Sequence, residues 1–258
     1  MKRVCRDAAS GPKVGGRIIK VRVGKGGSKE TFNVYEDLIR ESSTFFENAL
    51  NRKWKESRDR LISIPSHSPD VFAVYLKWLV SGMLFISNSE EVLPAEDGST
   101  TSKRRILPAE DESTTSKRRV QEDSLIAAFS FSDYIQDDDF KDCVIDGIVE
   151  HLKTWNVCHH MFPVEIWRLS QGGCPAASLA LAMILDFRIF SHDQDFSAEF
   201  REAIEPYPEL IYNAACALSS ELEWDKGERI KYTVVSSCRY HQHQITKAPC
   251  YKERFGIE

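Results

Sequence analysis

The alternation of apolar and polar residues near the beginning of the chain predicts two short β-strands. In residues 18–23 (IIKVRV), Ile19, Val21 and Val23 fall on one face, and this period of two is typical of a half-buried strand. Residues 31–35 (TFNVY) alternate in the same way, and the glycine-rich sequence GKGGSKE between the two segments predicts a turn. The pattern therefore predicts a β-hairpin.

The apolar period then changes to that of a helix. Residues 36–51 (EDLIRESSTFFENALN) carry apolar side chains at helical spacing, which predicts one helix or two short ones. Residues 61–64 (LISI) predict a brief third strand. Residues 68–82 (SPDVFAVYLKWLVSG) predict the best-defined helix, with Ser68 as its N-cap, a proline at its first position and Gly82 at its end.

The composition changes abruptly after Ile86. Residues 93–106 (LPAEDGSTTSKRRI) are followed directly by residues 107–120 (LPAEDESTTSKRRV), a tandem duplication with two differences. A short unit this polar has no apolar face with which to offset the entropy of ordering. The segment from about 87 to 122 is therefore predicted to be a disordered insertion.

Helical periodicity returns after the insertion. Residues 123–136 (DSLIAAFSFSDYIQ) and 137–152 (DDDFKDCVIDGIVEHL) predict two helices. Three further apolar segments, separated by glycines and prolines, predict more helices up to about residue 224. The predicted class is α+β, with a small sheet flanked by helices, followed by a helical C-terminal region over 153–258.

The net charge and the cysteine pattern limit the classes of partner and the cellular compartments that we expect. A net charge of -5 and a pI near 5.9 give no general attraction to a phosphate backbone, so direct nucleic-acid binding is not expected. The seven cysteines are widely spaced and lie mostly in apolar segments, as in reduced intracellular proteins. No apolar run reaches the length of a membrane span. We expect a cytoplasmic or nuclear protein without membrane contact.

The motifs that carry catalysis are not found in the sequence. The histidines form no His-Glu-x-x-His motif and no serine stands in a Gly-x-Ser-x-Gly elbow. The protein is therefore predicted not to be an enzyme and to need no cofactor, with an enzyme of unknown type as the alternative class.

One cluster near the C-terminus has metal-ligand chemistry. Cys238, His241, His243 and Cys250 have the spacing Cys-x2-His-x-His-x6-Cys, which could in principle surround a tetrahedral ion. Zinc sites usually carry ligand pairs on a tight turn, and no such knuckle sequence is present. The sequence is therefore interpreted as a charged tail, and no metal site is predicted.

Three stretches resemble the BTB/POZ domain. They are FNVYEDLIRESSTFFENAL (32–50), WKESRDRLISIPSHSPDVFAVYLKWLVSG (54–82) and AAFSFSDYIQDDDFKDCVIDGIVEHL (127–152). Fungal members of the family often carry a polar insertion where this chain has its duplication. The resemblance implies a BTB/POZ fold over 17–152, interrupted at about 87–122, with the order strand, strand, helix, strand, helix and helical pair.

The resemblance also implies a function in protein binding. BTB adaptors that bind a cullin often have an apolar residue, any residue and then Glu before the third strand, and Trp54 and Glu56 stand there. We expect these two residues, with Phe45 and Phe46 of the preceding helix, to contact a cullin or another BTB chain. In the alternative, Trp54 packs back on that helix. Self-association is left open, because Arg17 stands where many animal members have Asp.

Two basic triplets in the duplication suggest a second function. As exposed charge they would act as a nuclear localisation signal for a BTB regulator of transcription or chromatin, or simply as solvated charge. They consist of Lys103, Arg104, Arg105, Lys117, Arg118 and Arg119.

Overall fold

The structure, a computed structural model, describes most of the chain in seven ranges. They are residues 15–51, 60–86, 112–155, 158–170, 174–186, 198–222 and 236–257. The strands are β1 (Ile18–Val23), β2 (Glu30–Tyr35) and β3 (Leu61–Ile64). The helices are α1 (Glu36–Ser42), α2 (Thr44–Ala49), α3 (Pro69–Ser81), α4 (Glu112–Ile135), α5 (Asp138–Trp155), α6 (Met161–Ser170), α7 (Pro175–Asp186), α8 (Ala198–Ile204), α9 (Pro208–Leu222), α10 (His243–Thr246) and α11 (Tyr251–Phe255). The chain is mixed α+β and mostly helical, as predicted.

The small sheet has β1 at its centre. β2 pairs antiparallel with β1 and β3 pairs parallel with it. The predicted hairpin is confirmed, and its turn contains the 3-10 segment Gly26–Ser28. Ile19, Val21 and Val23 are all fully buried, so the alternating face found in the sequence forms the core side of the central strand.

Helix α3 begins and ends as its capping residues predict. Ser68 Oγ accepts a hydrogen bond from the Val71 N–H at 3.4 Å. Gly82 adopts a left-handed conformation with φ of 71°, and its N–H donates to the Trp78 carbonyl. The caps hold the helix at a length that lays Trp78 and its neighbours against the core.

An aromatic cluster joins α3 to α4 and α5. Tyr75 of α3 stacks on Trp78 at a centroid distance of 5.8 Å and meets Phe140 of α5 edge-on at 5.0 Å. Phe72 meets Phe131 of α4 edge-on at 6.0 Å. All five rings are fully buried. The residues before and after the insertion therefore share one hydrophobic core.

The predicted disordered insertion is too long at its C-terminal end. Helix α4 begins at Glu112, within the second copy of the duplication, and both Arg118 and Glu122 are buried. Glu122 Oε1 lies 3.3 Å from His151 Nε2 of α5. Extending a helix costs little once the following amphipathic turns exist, so contacts from α5 can order this polar sequence. Residues 87–111 of the predicted insertion lie outside the described residues.

Asp137 connects the junction of α4 and α5 to α1 and α3. Its Oδ2 accepts hydrogen bonds from Ser42 Oγ at 2.6 Å and from the Tyr75 hydroxyl at 2.8 Å. Its Oδ1 accepts the Phe140 N–H at 2.9 Å and so caps α5. Burial raises the pKa of Asp137 to about 6, although these three hydrogen bonds favour the charged form.

Stability is therefore expected to fall as the pH rises through the titration of Asp137. Between the ordinary pKa of 3.8 and the folded value of about 6, the folded chain binds more protons than the unfolded chain. The free energy of unfolding then decreases by about 3 kcal/mol across this window. We expect urea unfolding from pH 4 to pH 7 to show this decrease for the wild type relative to Asp137→Asn. A difference between the two proteins that is independent of pH would contradict the prediction.

Candidate metal-binding cluster and partner surface

The C-terminal residues 236–257 fold back onto α5. The Tyr251 hydroxyl donates a hydrogen bond to Asp146 of α5. Arg254 Nη1 forms an ion pair with Asp139 at 3.0 Å. The interpretation of this sequence as a charged tail is wrong over 236–257, because its side chains pair with carboxylates of a core helix.

The fold-back brings the four candidate ligands together. Cys238 lies in a 3-10 turn, His241 follows that turn, His243 begins α10 and Cys250 directly precedes α11. The ligand atoms of the four side chains lie within 4.8 Å of one another. Cys250 Sγ is 3.8 Å from His241 Nδ1. Two thiols and two imidazoles in this arrangement are a ligand set for a tetrahedral metal ion. We call these four residues the Cys-His cluster.

Two carboxylates of α5 position the Cys-His cluster. Asp146 Oδ1 lies 2.9 Å from His241 Nε2. One helical turn earlier, Asp142 accepts hydrogen bonds from the backbone N–H groups of Gln242 and His243. Residues four apart share a helix face, so one face of α5 orients both an imidazole ring and the backbone between the two histidines. In the sequence, these aspartates form the pattern Asp-x-x-x-Asp. The pattern does not point to the Cys-His cluster, because almost a hundred residues separate the aspartates from it.

The cysteine chemistry of the cluster differs from that of a catalytic nucleophile. Cys250, His241 and Asp146 form a thiol–imidazole–carboxylate chain, an order that also occurs in cysteine hydrolases. Burial, with a smaller contribution from the adjacent Cys238, raises the pKa of Cys250 to about 11. A reactive cysteine needs a lowered pKa, so the environment of Cys250 opposes the activated thiolate.

The residues predicted for partner binding divide between surface and core. Phe46 is fully buried, so its predicted place at a partner surface is wrong: adjacent positions on a helix face different directions, and this one faces the core. Phe45 is partly buried and its ring lies 5.1 Å from that of Tyr134 on α4. The His67 ring lies 4.8 Å from Tyr134. We call Phe45, His67 and Tyr134 the aromatic surface; Trp54 and Glu56 lie outside the described residues.

The aromatic surface combines residues from three separate parts of the sequence. Tyr134 is 37% exposed and stands at the end of α4. His67 follows β3 and packs edge-on against buried Phe131 at 5.1 Å. Sequence reasoning missed both residues, because only tertiary packing brings Tyr134 of α4 against Phe45 and against His67.

The second basic triplet is only partly accessible. Lys117 and Arg119 are exposed on α4, but Arg118 between them is 7% exposed. An import receptor that reads an extended basic peptide would need this helix to unwind. The exposure assumed for the triplet is therefore wrong at Arg118, while the triplet at 103–105 lies outside the described residues.

Comparisons with known proteins identify no family. No protein-family model matches the sequence, and a search of curated proteins finds no significant match. Among the residues that the structure describes, no helix is both long enough and apolar enough to cross a bilayer. The fold and the geometry of its surfaces therefore carry the functional conclusion.

Proposed function

We propose that this protein is a non-enzymatic interaction module of the BTB type, which serves as an adaptor or scaffold and binds a cullin of a ubiquitin ligase. The first support is the order of the elements from β1 to α5. Among the described residues, two strands, a short helical pair, a strand, a helix and a further helical pair follow one another. This agrees with the order that the resemblance implies, with its first helix divided into α1 and α2. A parallel pairing of β3 with β1 closes the sheet around the central strand.

A second support is the place of the residues that carry the resemblance. Val34 and Leu38 belong to the first similar stretch and Ser132 and Phe140 to the third, and each is at most 8% exposed. Buried positions specify how a chain packs and leave the surface free to vary. At these four positions the resemblance rests on framework residues, as a shared fold with a different partner surface would require.

The observation that carries the cullin proposal is the aromatic surface, in which Phe45 precedes and His67 follows, along the sequence, the segment that contains Trp54 and Glu56. Helix α2, which bears Phe45, leads into residues 52–59, and β3 leads out of them toward His67. Aromatic side chains that remain partly exposed in a folded chain are typical anchors of protein interfaces. Residues of the aromatic surface therefore lie both before and after the adaptor-like segment in the sequence.

Replacing Trp54 by alanine is expected to weaken cullin binding by at least about tenfold, because truncating a buried aromatic anchor costs on the order of 2 kcal/mol. Tyr134→Ala is expected to weaken binding less, because Tyr134 is already 37% exposed in the folded chain and truncating a partly exposed ring loses less contact than truncating a fully buried anchor. The dissociation constants can be measured by calorimetry with a purified cullin N-terminal domain. Tyr212→Ala is the matched control, since Tyr212 is 69% exposed on α9 and should leave the affinity unchanged.

The midpoint temperature of thermal unfolding distinguishes a role of Trp54 in the interface from the alternative, in which Trp54 packs on α2. A Trp54→Ala protein with unchanged midpoint and lost affinity supports the interface, whereas a large drop in the midpoint indicates that Trp54 packs on α2. Wild-type protein without cullin affinity at tens of micromolar contradicts the cullin proposal. Light scattering of the same sample then tests whether a second copy of the chain is the partner.

A further inference from the structure

We propose that Cys238, His241, His243 and Cys250 bind one Zn²⁺ ion in a closed structural site that fastens residues 236–257 to α5. The site is independent of the partner surface proposed above. In it, the two cysteines bind as thiolates and release their protons to solvent, and the two histidines bind as neutral imidazoles.

The separations within the Cys-His cluster fit a tetrahedral ion. Zinc–sulfur bonds of about 2.3 Å and zinc–nitrogen bonds of about 2.0 Å place tetrahedral ligand atoms about 3.3 to 3.8 Å apart. The Cys250 Sγ to His241 Nδ1 distance of 3.8 Å already lies within that range. The widest separation in the cluster, up to 4.8 Å, needs a contraction of about 1 Å, which side-chain rotation on short turns can provide.

His241 is oriented as a zinc ligand. Its Nε2 faces Asp146 Oδ1 at 2.9 Å, while its Nδ1 faces Cys250 Sγ. A carboxylate accepts but does not donate, so Asp146 holds the proton on Nε2 and leaves the Nδ1 lone pair directed into the cluster. A carboxylate behind a ligating histidine is the usual outer partner of such a site. The fully buried ring of His241 has no freedom to turn elsewhere.

His243 provides a second, independent observation. Its Nε2 atom is buried and has no hydrogen-bond partner. Buried imidazole nitrogens nearly always have a partner, because leaving one unpaired loses the hydrogen bond that water would supply. A metal ion within the cluster would supply a partner for this side-chain nitrogen. The backbone N–H of the same residue, His243, already donates to Asp142.

The ligand chemistry selects zinc and a structural role. Two thiolates and two imidazoles in a tetrahedron are typical of zinc, whereas magnesium and calcium prefer oxygen ligands. Two thiolates also neutralise the charge of a divalent ion, which reduces the cost of burying it. Four protein ligands leave no open position for substrate or water, so the site would stabilise structure and perform no reaction.

The ion would hold residues 236–257 in their folded arrangement, because the helices of this segment are short. Helices α10 and α11 are four and five residues long, too short to persist without tertiary contacts. Beyond the cluster, Phe255 packs against Trp78 at 5.6 Å. A bound ion would thus hold this ring in place over the core end of α3.

Zinc binding is tested on the full chain purified under reducing conditions. Elemental analysis is expected to find about one zinc per chain, and Co²⁺ titration of the zinc-free protein is expected to produce the absorption bands of a tetrahedral cobalt–thiolate centre. Cys238→Ser and His243→Asn should lose both signals. Cys216→Ser, which changes an exposed cysteine of α9 outside the cluster, is the matched control and should keep both.

Two further measurements distinguish loss of the site from loss of the fold. His243→Cys keeps four ligands and should restore zinc binding, while Asp146→Asn should weaken it by about 10- to 100-fold. Chelation of zinc should accelerate amide hydrogen exchange in 236–257 and leave exchange in β1 unchanged.

Three outcomes would overturn the proposal. In the first, wild-type protein binds Co²⁺ without thiolate bands. In the second, Cys216→Ser loses as much zinc as Cys238→Ser. In the third, Cys238 and Cys250 form a disulfide in the isolated protein, and the reduced protein binds no zinc.

Discussion

Replacing Gly82 by alanine is expected to destabilise the protein by about 3 kcal/mol and to release α11 from the core. Gly82 has a φ of 71°, which costs a residue with a side chain about 1 to 2 kcal/mol. The added Cβ would also lie 2.4 Å from Cγ and 2.8 Å from Cβ of Phe255. These atoms are close to the Phe255 backbone, so the ring cannot escape by rotation alone and the helix that carries it must move.

Two matched variants separate the backbone strain from the collision. Gly26 also has a positive φ, of 58°, but a Cβ there would meet nothing within 4 Å. Gly26→Ala is therefore expected to cost only the conformational part, about 1 kcal/mol. Phe255→Ala in the Gly82→Ala background should recover part of the lost stability, although Phe255→Ala alone is destabilising.

Denaturant unfolding measures the free energies, and hydrogen exchange reports on the release of α11. Faster exchange in residues 251–255 of Gly82→Ala is the expected signature of that release. Equal losses of stability for Gly82→Ala and Gly26→Ala would show that the contact with Phe255 contributes nothing.

Near pH 4, before the titration of Asp137 lowers the stability of the wild type, replacing Asp137 by alanine is expected to cost about 3 kcal/mol, the second large effect. The change leaves the buried Tyr75 hydroxyl and the Ser42 hydroxyl without their acceptor, and it removes the cap from the Phe140 N–H. An unsatisfied buried donor costs about 1 to 3 kcal/mol and a lost N-cap about 1 kcal/mol. The thermal midpoint is expected to fall by roughly 10 °C.

Asp137→Asn is the control for this prediction. Asparagine keeps an oxygen that can accept the Phe140 N–H, and its amide can donate to the hydroxyls of Ser42 and Tyr75. We expect it to retain most of the stability that alanine loses. If the two variants are equally unstable, the hydrogen bonds of Asp137 are not the source of the effect.

The parts of the fold that the sequence predicts well depend on neighbouring residues alone. The strands over 18–23 and 61–64 and the helix over 69–81 were predicted with the bounds that the structure shows. Period-two alternation requires only one buried face, and the caps of α3 are its own flanking residues, Ser68 and Gly82. Local physical chemistry is sufficient for such elements.

Where the prediction from local sequence failed, contacts with residues distant along the chain determined the structure. The polar sequence of the insertion predicts disorder as far as about residue 122, yet Glu122 reaches His151, which lies 29 positions further along the chain. Phe45 and Phe46 are equivalent by composition, and only the packing of α2 on α3 and α4 places one at the surface and the other in the core. Composition averages over a segment, whereas burial is a property of each side chain in three dimensions.

The Cys-His cluster shows most clearly which information lies in the sequence and which lies only in the tertiary structure. The sequence by itself determined that two cysteines and two histidines stand close together along the chain, and so determined which ions they could hold. Whether those residues form a tail or a site depends on Asp142 and Asp146, which precede the histidines by about a hundred positions. Only the tertiary structure decided this, because hydrogen bonds and ion pairs act over a few ångströms of space regardless of separation along the chain.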